Sequence, residues 1–160
     1  MSIEILATYL NDHMAGSVAA IELFDHVGEL SKGTERERLF ATLKSEVEED
    51  QKVLKELLRG LGGTQSRVRR AAAWLTEKVG EAKLKLDNPG GGELRLLEAL
   101  ETLELGILGK LALWRALGAA ADLVPQIRNL NLDQLERRAQ AQHARLELER
   151  LKVARTAFGT

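Results

Sequence analysis

Residues Glu93 to Asp122, ELRLLEALETLELGILGKLALWRALGAAAD, contain no proline and carry leucine on nearly every side. At about 1.5 Å of rise per residue this run predicts one buried helix of roughly 45 Å, and the other segments must pack around it. Leu97, Leu100, Ile107, Leu111 and Gly118 keep the three-and-four spacing of one helical face. Glu104 falls in the middle of that face, and a lone carboxylate there needs a partner. Gly106, Gly109 and Gly118 are expected to let a neighbouring helix approach closely. They are not a phosphate loop, because nothing breaks the helix around them. Leu105, Leu113 and Leu117 lie off the main stripe and are expected to leave apolar area outside, open to a second copy of the chain or else covered by the helix that precedes this one. Trp114, like Trp74 earlier in the chain, is read as a packing or interface residue.

Upstream, Ser2 caps a first helix that runs to about Leu30 and stops at Ser31-Lys32-Gly33, with glycine in the left-handed position past the helix end. Its expected buried face is Leu6, Leu10, Ser17, Ala20, Ile21 and Phe24, with His13 inside it and His26 on the opposite side. Thr34 and Glu37 form a capping box that opens a second helix ending at Gly60 to Gly63. The short connection forces these two helices into an antiparallel hairpin. In the second helix the stripe Leu39, Leu43, Val47, Val53, Leu54, Leu57 and Leu61 has Asp50 at its centre and Glu46 at its edge. A third helix, about Ser66 to Leu86, is narrowly apolar and strongly charged, and is expected to pack outside. Arg67, Arg69 and Arg70 at its start read as a solvated cluster.

Downstream, the segment Asp122 to Leu132, with Pro125, separates the central helix from a last one running to about Phe158. Asp133 and Glu136 are expected to cap it. Its inward side is marked by Leu135, Ala139, Leu146, Val153, Ala154 and Ala157, interleaved with Glu136, Gln140, His143, Glu147 and Arg150. No strand alternation or sequence repeat is present, so the chain reads as all-α and as a single domain. Four long helices supply the core, and the third helix carries the chain back along the bundle between two hairpins. The second helix and the central helix then run in the same direction.

At 160 residues, 44% hydrophobic and 29% charged, the chain has the composition of a soluble folded domain. A formal net charge of −1 removes the long-range electrostatic argument for nucleic acid or an anionic membrane surface. The absence of cysteine excludes disulfides, thiolate metal sites and thiol nucleophiles, and suits the cytoplasm. Met1 to Glu4 shows no basic start or hydrophobic run, so no signal peptide is expected. Glu101, Glu104, Lys110 and Arg115 rule the central helix out as a membrane span.

The segments YLNDHMAGSVAAIELF (Tyr9 to Phe24), EVEEDQKVLKELLRGLG (Glu46 to Gly62), LETLELGILGKLALWRAL (Leu100 to Leu117) and LERRAQAQHARLELERLKVA (Leu135 to Ala154) resemble the ferritin-like superfamily, in particular bacterial ferritin-like helical-bundle proteins. That resemblance implies a four-helix bundle with a crossover, here the third helix. It also implies a di-metal site made from a glutamate on each of two helices and Glu-x-x-His on the other two. Glu104 fits one lone glutamate. Gln140-x-x-His143 keeps the histidine but replaces the glutamate by an amide. Glu46 is followed three residues later by Glu49, which points outward, whereas Asp50 points inward, and His13 stands where metal proteins have glutamate. The resemblance therefore implies a metal centre that is altered or lost.

Two functions follow as expectations. The leading one is a non-catalytic binding or stress-associated bundle protein without a cofactor, in which the buried polar groups satisfy one another. The alternative is a metal-dependent redox enzyme or metal-binding protein. It would hold one divalent ion, iron, manganese or zinc, on His13, Asp50, Glu104 and His143, with Glu46, Gln140 and Glu147 nearby. Ferritin-like bundles pair through outer helix faces, so a homodimer is the partner the resemblance implies.

Overall fold

A computed structural model describes residues 3–62, 77, 80, 81, 84 and 92–159. Among the described residues the chain is helical without any strand: α1 (Ile3–Leu30), α2 (Glu35–Gly60), α3 (Gly92–Ala119), the single-turn α4 (Pro125–Arg128) and α5 (Leu132–Phe158). Of the expected helix at Ser66 to Leu86, only Glu77, Gly80, Glu81 and Leu84 are described, all helical. Ser2, Arg67, Arg69, Arg70 and Trp74 lie outside the described residues.

The helix ends follow the chain's punctuation, with two corrections. After α1, Ser31 N–H donates to the Val27 carbonyl at 3.0 Å, and Gly33 takes a φ of 79°, a left-handed value that favours glycine. The expected capping box does not form: Thr34 makes no side-chain cap bond, and Glu37 reaches one residue further back than the box requires. The Thr34 hydroxyl turns back to the Ser31 carbonyl at 2.6 Å, while the Glu37 carboxylate accepts from Gly33 N–H at 2.7 Å. At α5 the cap is Asn131, whose side chain accepts from Gln134 N–H at 3.2 Å. It takes the place expected of Asp133, and Glu136 instead faces Arg115 at 3.3 Å.

Side-chain pairs fix the direction of each helix. Along α2 from Lys44 to Gln51, partners on α1 run backwards from Asp25 to Ser17, so this hairpin is antiparallel. Glu104 with Arg150 and Lys110 with Gln142 give α3 and α5 the same antiparallel sense. Arg36 of α2 faces Glu93 of α3, and Asp50 of α2 faces Lys110 of α3. Both pairs advance together, so α2 and α3 run the same way. The end of α2 and the start of α3 consequently lie at opposite ends of the molecule. Contacts α1 with α2, α2 with α5, α5 with α3 and α3 with α1 close a ring around the core, and α4 packs on α2.

That core has two apolar halves. One contains Leu23, Phe24, Phe40, Leu100, Ile107 and Leu146; the other contains Leu10, Leu54, Leu57, Trp114, Leu117 and Ile127. Each fully buried side chain of this size contributes roughly 1.5–3 kcal/mol. The apolar arc of α3 is wider than one stripe because the helix packs on both α1 and α5. Leu113 and Leu117, expected outside, are therefore buried, whereas Leu105 is exposed at 69%. On α1 the buried face is turned from the expected one. Asn11, Met14, Ala15, Leu23 and Val27 join Leu10 and Phe24 inside, while Leu6, Ser17, Ala20 and Ile21 are half-buried. Among the described residues no helix is long and apolar enough to cross a membrane.

Candidate functional site

Between the two apolar halves runs a polar layer. On α2, Asp50 lies between Val47 of one half and Leu54 of the other; on α5, Gln142 lies between Leu146 and Ala139. Lys110 holds the same level on α3, between Ile107 and Leu113. Asp50 is only 2% exposed and Gln142 is fully buried. An isolated carboxylate there would be prohibitive, and its neighbours answer that cost. Oδ2 of Asp50 accepts from Lys110 Nζ at 2.6 Å and from Gln142 Nε2 at 3.3 Å, and Oδ1 accepts from the Arg138 guanidinium. Lys110 also donates to the Gln142 Oε1. Burial pushes the Lys110 ammonium below the ordinary lysine value, and the Asp50 charge opposes that shift. In the same layer, Gln51 donates to the Ser17 hydroxyl at 2.9 Å.

The other interior carboxylates are matched in the same way. Glu104 meets His143 Nε2 at 3.0 Å and the Arg150 guanidinium. Glu149, buried on α5, accepts from Arg36 at 2.7 Å and Lys152 at 3.2 Å. Glu46 pairs with Arg145 at 2.5 Å. Burial alone would raise the Glu46 carboxyl, but hydrogen bonds from Arg145 and Gln142 hold it below its ordinary value.

The four expected ligands fall into two places. His143 joins Glu104 between α3 and α5, while His13 and Asp50 line a separate cleft between α1, α2 and α3. Six residues of α3, about 9 Å of rise, separate Glu104 from Lys110 of the Asp50 cluster. Among the described residues, no three or more His, Asp or Glu side chains are grouped so as to hold a metal ion. Of the residues expected nearby, Glu46 borders the Asp50 cluster and Glu147 is half-buried. Gln140 is a correction: it is exposed, and Gln142 is the buried amide. On α5 the run Leu135, Ala139, Gln142, Leu146, Glu149, Val153 advances by alternating four and three residues, which sets Gln142 and Glu149 on the inner seam.

The cleft has a volume of about 360 Å³ and is partly open to solvent. Apolar side chains, among them Phe24, Leu54 and Trp114, make most of its wall, and Asp50 and Lys110 line it as well. His13 stacks edge-on against Tyr9 with ring centroids 4.7 Å apart. Burial pushes its imidazole below the ordinary value of 6.5, partly opposed by Asp12. Gly16, Gly106 and Gly109 also line the cleft, and a Cβ added at any of them would meet nothing within 4 Å among the described residues. Gly106 and Gly109 thus leave open space where close helix approach was expected. Gly118 is ordinarily packed, with Leu132 at 3.8 Å from such a Cβ.

Compared with protein-family models, with curated proteins and with solved structures, the chain matches none.

Proposed function

We propose that this chain is a ferritin-like bundle in which ion pairs have replaced the interior metal centre, and that it serves as a non-catalytic binding protein, stress-associated as the resemblance implies. The ferritin-like reading draws support from the shared direction of α2 and α3, which sets two antiparallel hairpins side by side with their junction at opposite ends. The observation that carries the functional part is that, among the described residues, four inward-facing carboxylates already have protein cations. Asp50 has Lys110 and Arg138, Glu104 has Arg150, Glu46 has Arg145, and Glu149 has Arg36. A pair of bridged ions needs carboxylates with free lone pairs and few competing cations. This donor set does not fit that requirement. An incoming ion at Asp50 would have to displace an ammonium and a guanidinium together.

Metal analysis tests the reading. Protein expressed with added iron, manganese and zinc, and purified without chelator, should carry far less than one ion per chain. Fe(II) added in air should be oxidised no faster than in buffer. A stoichiometric ion with an anomalous signal at Asp50 or Glu104, or accelerated Fe(II) oxidation, overturns it.

A further inference from the structure

We infer that the cleft between α1, α2 and α3 binds a small uncharged molecule, mostly hydrocarbon or aromatic, that carries one hydrogen-bond acceptor such as a ketone or ester carbonyl. This rests on the metal-free reading and names the ligand class it leaves open. At about 360 Å³ the cleft lies within the range of small-molecule sites, roughly 300–1,000 Å³. Its size comes from side chains the sequence omits, since Gly16, Gly106 and Gly109 face it with open space where a Cβ would stand.

The donors define the acceptor. Trp114 forms part of the wall and is 1% exposed, and its indole N–H, itself shielded from solvent, meets no acceptor among the described residues, so a ligand reaches it by turning the indole toward the cleft. A shielded donor of this kind is costly until something accepts from it. Lys110 lines the cleft and spends two of its three N–H groups on Asp50 and Gln142, leaving one more donor. The charges favour a neutral ligand: Asp50 and Lys110 already answer one another, so an ionic ligand would find no unmatched charge beside them, and the remaining Asp12 is exposed to solvent.

Three probes of similar size separate these chemistries: acetophenone, which has a neutral acceptor; ethylbenzene, which has none; and benzoate, whose acceptor is charged. Each is titrated into the full chain while the Trp114 indole ¹⁵N–¹H resonance is followed, assigned with Trp114→Phe. Acetophenone should move that resonance and bind roughly three- to tenfold more tightly than either other probe. Gly109→Leu, and independently Gly106→Leu, should fill the cleft and abolish the shift while the helical circular dichroism is retained. An unmoved indole resonance, equal affinity for all three probes, or unchanged binding by both folded leucine variants overturns the inference. Metal content is measured on the same samples. A stoichiometric ion removes the metal-free reading, whereas a silent titration of metal-free protein removes the ligand assignment alone.

Discussion

Lys110 on α3 and Asp50 on α2, sixty residues apart in sequence, meet at 2.6 Å in the layer that divides the apolar core. Without Lys110, Asp50 would keep Arg138 and Gln142; without Asp50, the Lys110 ammonium would keep only the Gln142 amide oxygen. The pair also joins two helices that run in the same direction and whose chain connection spans opposite ends of the molecule. Buried ion pairs add little net stability compared with apolar residues of the same shape, but they strongly disfavour any packing that separates the partners. The Asp50 cluster therefore sets the register of α2, α3 and α5 at one level.

Glu104 has two partners, His143 and Arg150, so removing one should differ from breaking a simple pair. With Arg150 still in place, His143→Ala should cost less than about 1 kcal/mol in urea unfolding. Removing both His143 and Arg150 strands a largely buried carboxylate and should cost on the order of 3 kcal/mol. EDTA should change neither value. A melting temperature that EDTA lowers in the parent but not in His143→Ala would show an ion at Glu104 instead.

Gly106 and Gly109 are helical positions with open space beside them, so alanine meets no steric objection there. Gly106→Ala and Gly109→Ala should each stabilise the protein by about 0.5–1 kcal/mol, chiefly through the unfolded chain's lost freedom. Thermal unfolding of the single variants measures this. Destabilisation would mean that the cleft is not open at these positions.

His13 supplies a pH dependence of definite sign. Burial holds its folded pKa below the unfolded value near 6.5, so the unfolded chain binds more protons in the interval between the two. Its contribution is complete above pH 6.5 and is lost as pH falls through that interval. Replacing it by glutamine should flatten the fall in stability just below pH 6.5, measured by urea unfolding at a series of pH values. An identical pH profile in His13→Gln would place the titrating group elsewhere.

Long-range order was legible where the sequence is periodic and punctuated. The four long helices, the stop at Gly33, the inward Asp50 and outward Glu49 and the parallel sense of α2 and α3 all follow from apolar spacing and connection length. The polar interior was harder, because a helical wheel separates neighbouring positions by only 100° and a seam can slip by one residue. On α5 the slip favoured Gln140 over Gln142, although the four-three alternation through Leu135, Ala139, Leu146 and Val153 already pointed to 142 and 149. Lys110 was legible too, since Leu103, Ile107, Lys110, Trp114 and Leu117 follow one spacing, although a lysine on an apolar helix reads first as a charge against membrane insertion. The cleft left no periodic mark, because glycines register as absent side chains and open space depends on what α1 fails to place opposite them.

A double-mutant cycle on Asp50 and Lys110, by urea unfolding with EDTA present throughout, is the most direct test of whether the interior charges close on one another. Asp50→Asn, which leaves the buried Lys110 ammonium without its carboxylate, should destabilise on the order of 3 kcal/mol; Lys110→Met, with Arg138 still on Asp50, should cost about 1–2 kcal/mol, and the double variant should lose less than their sum by about 1 kcal/mol or more. Additivity to within about 0.5 kcal/mol would contradict the pairing and, with it, the metal-free interior.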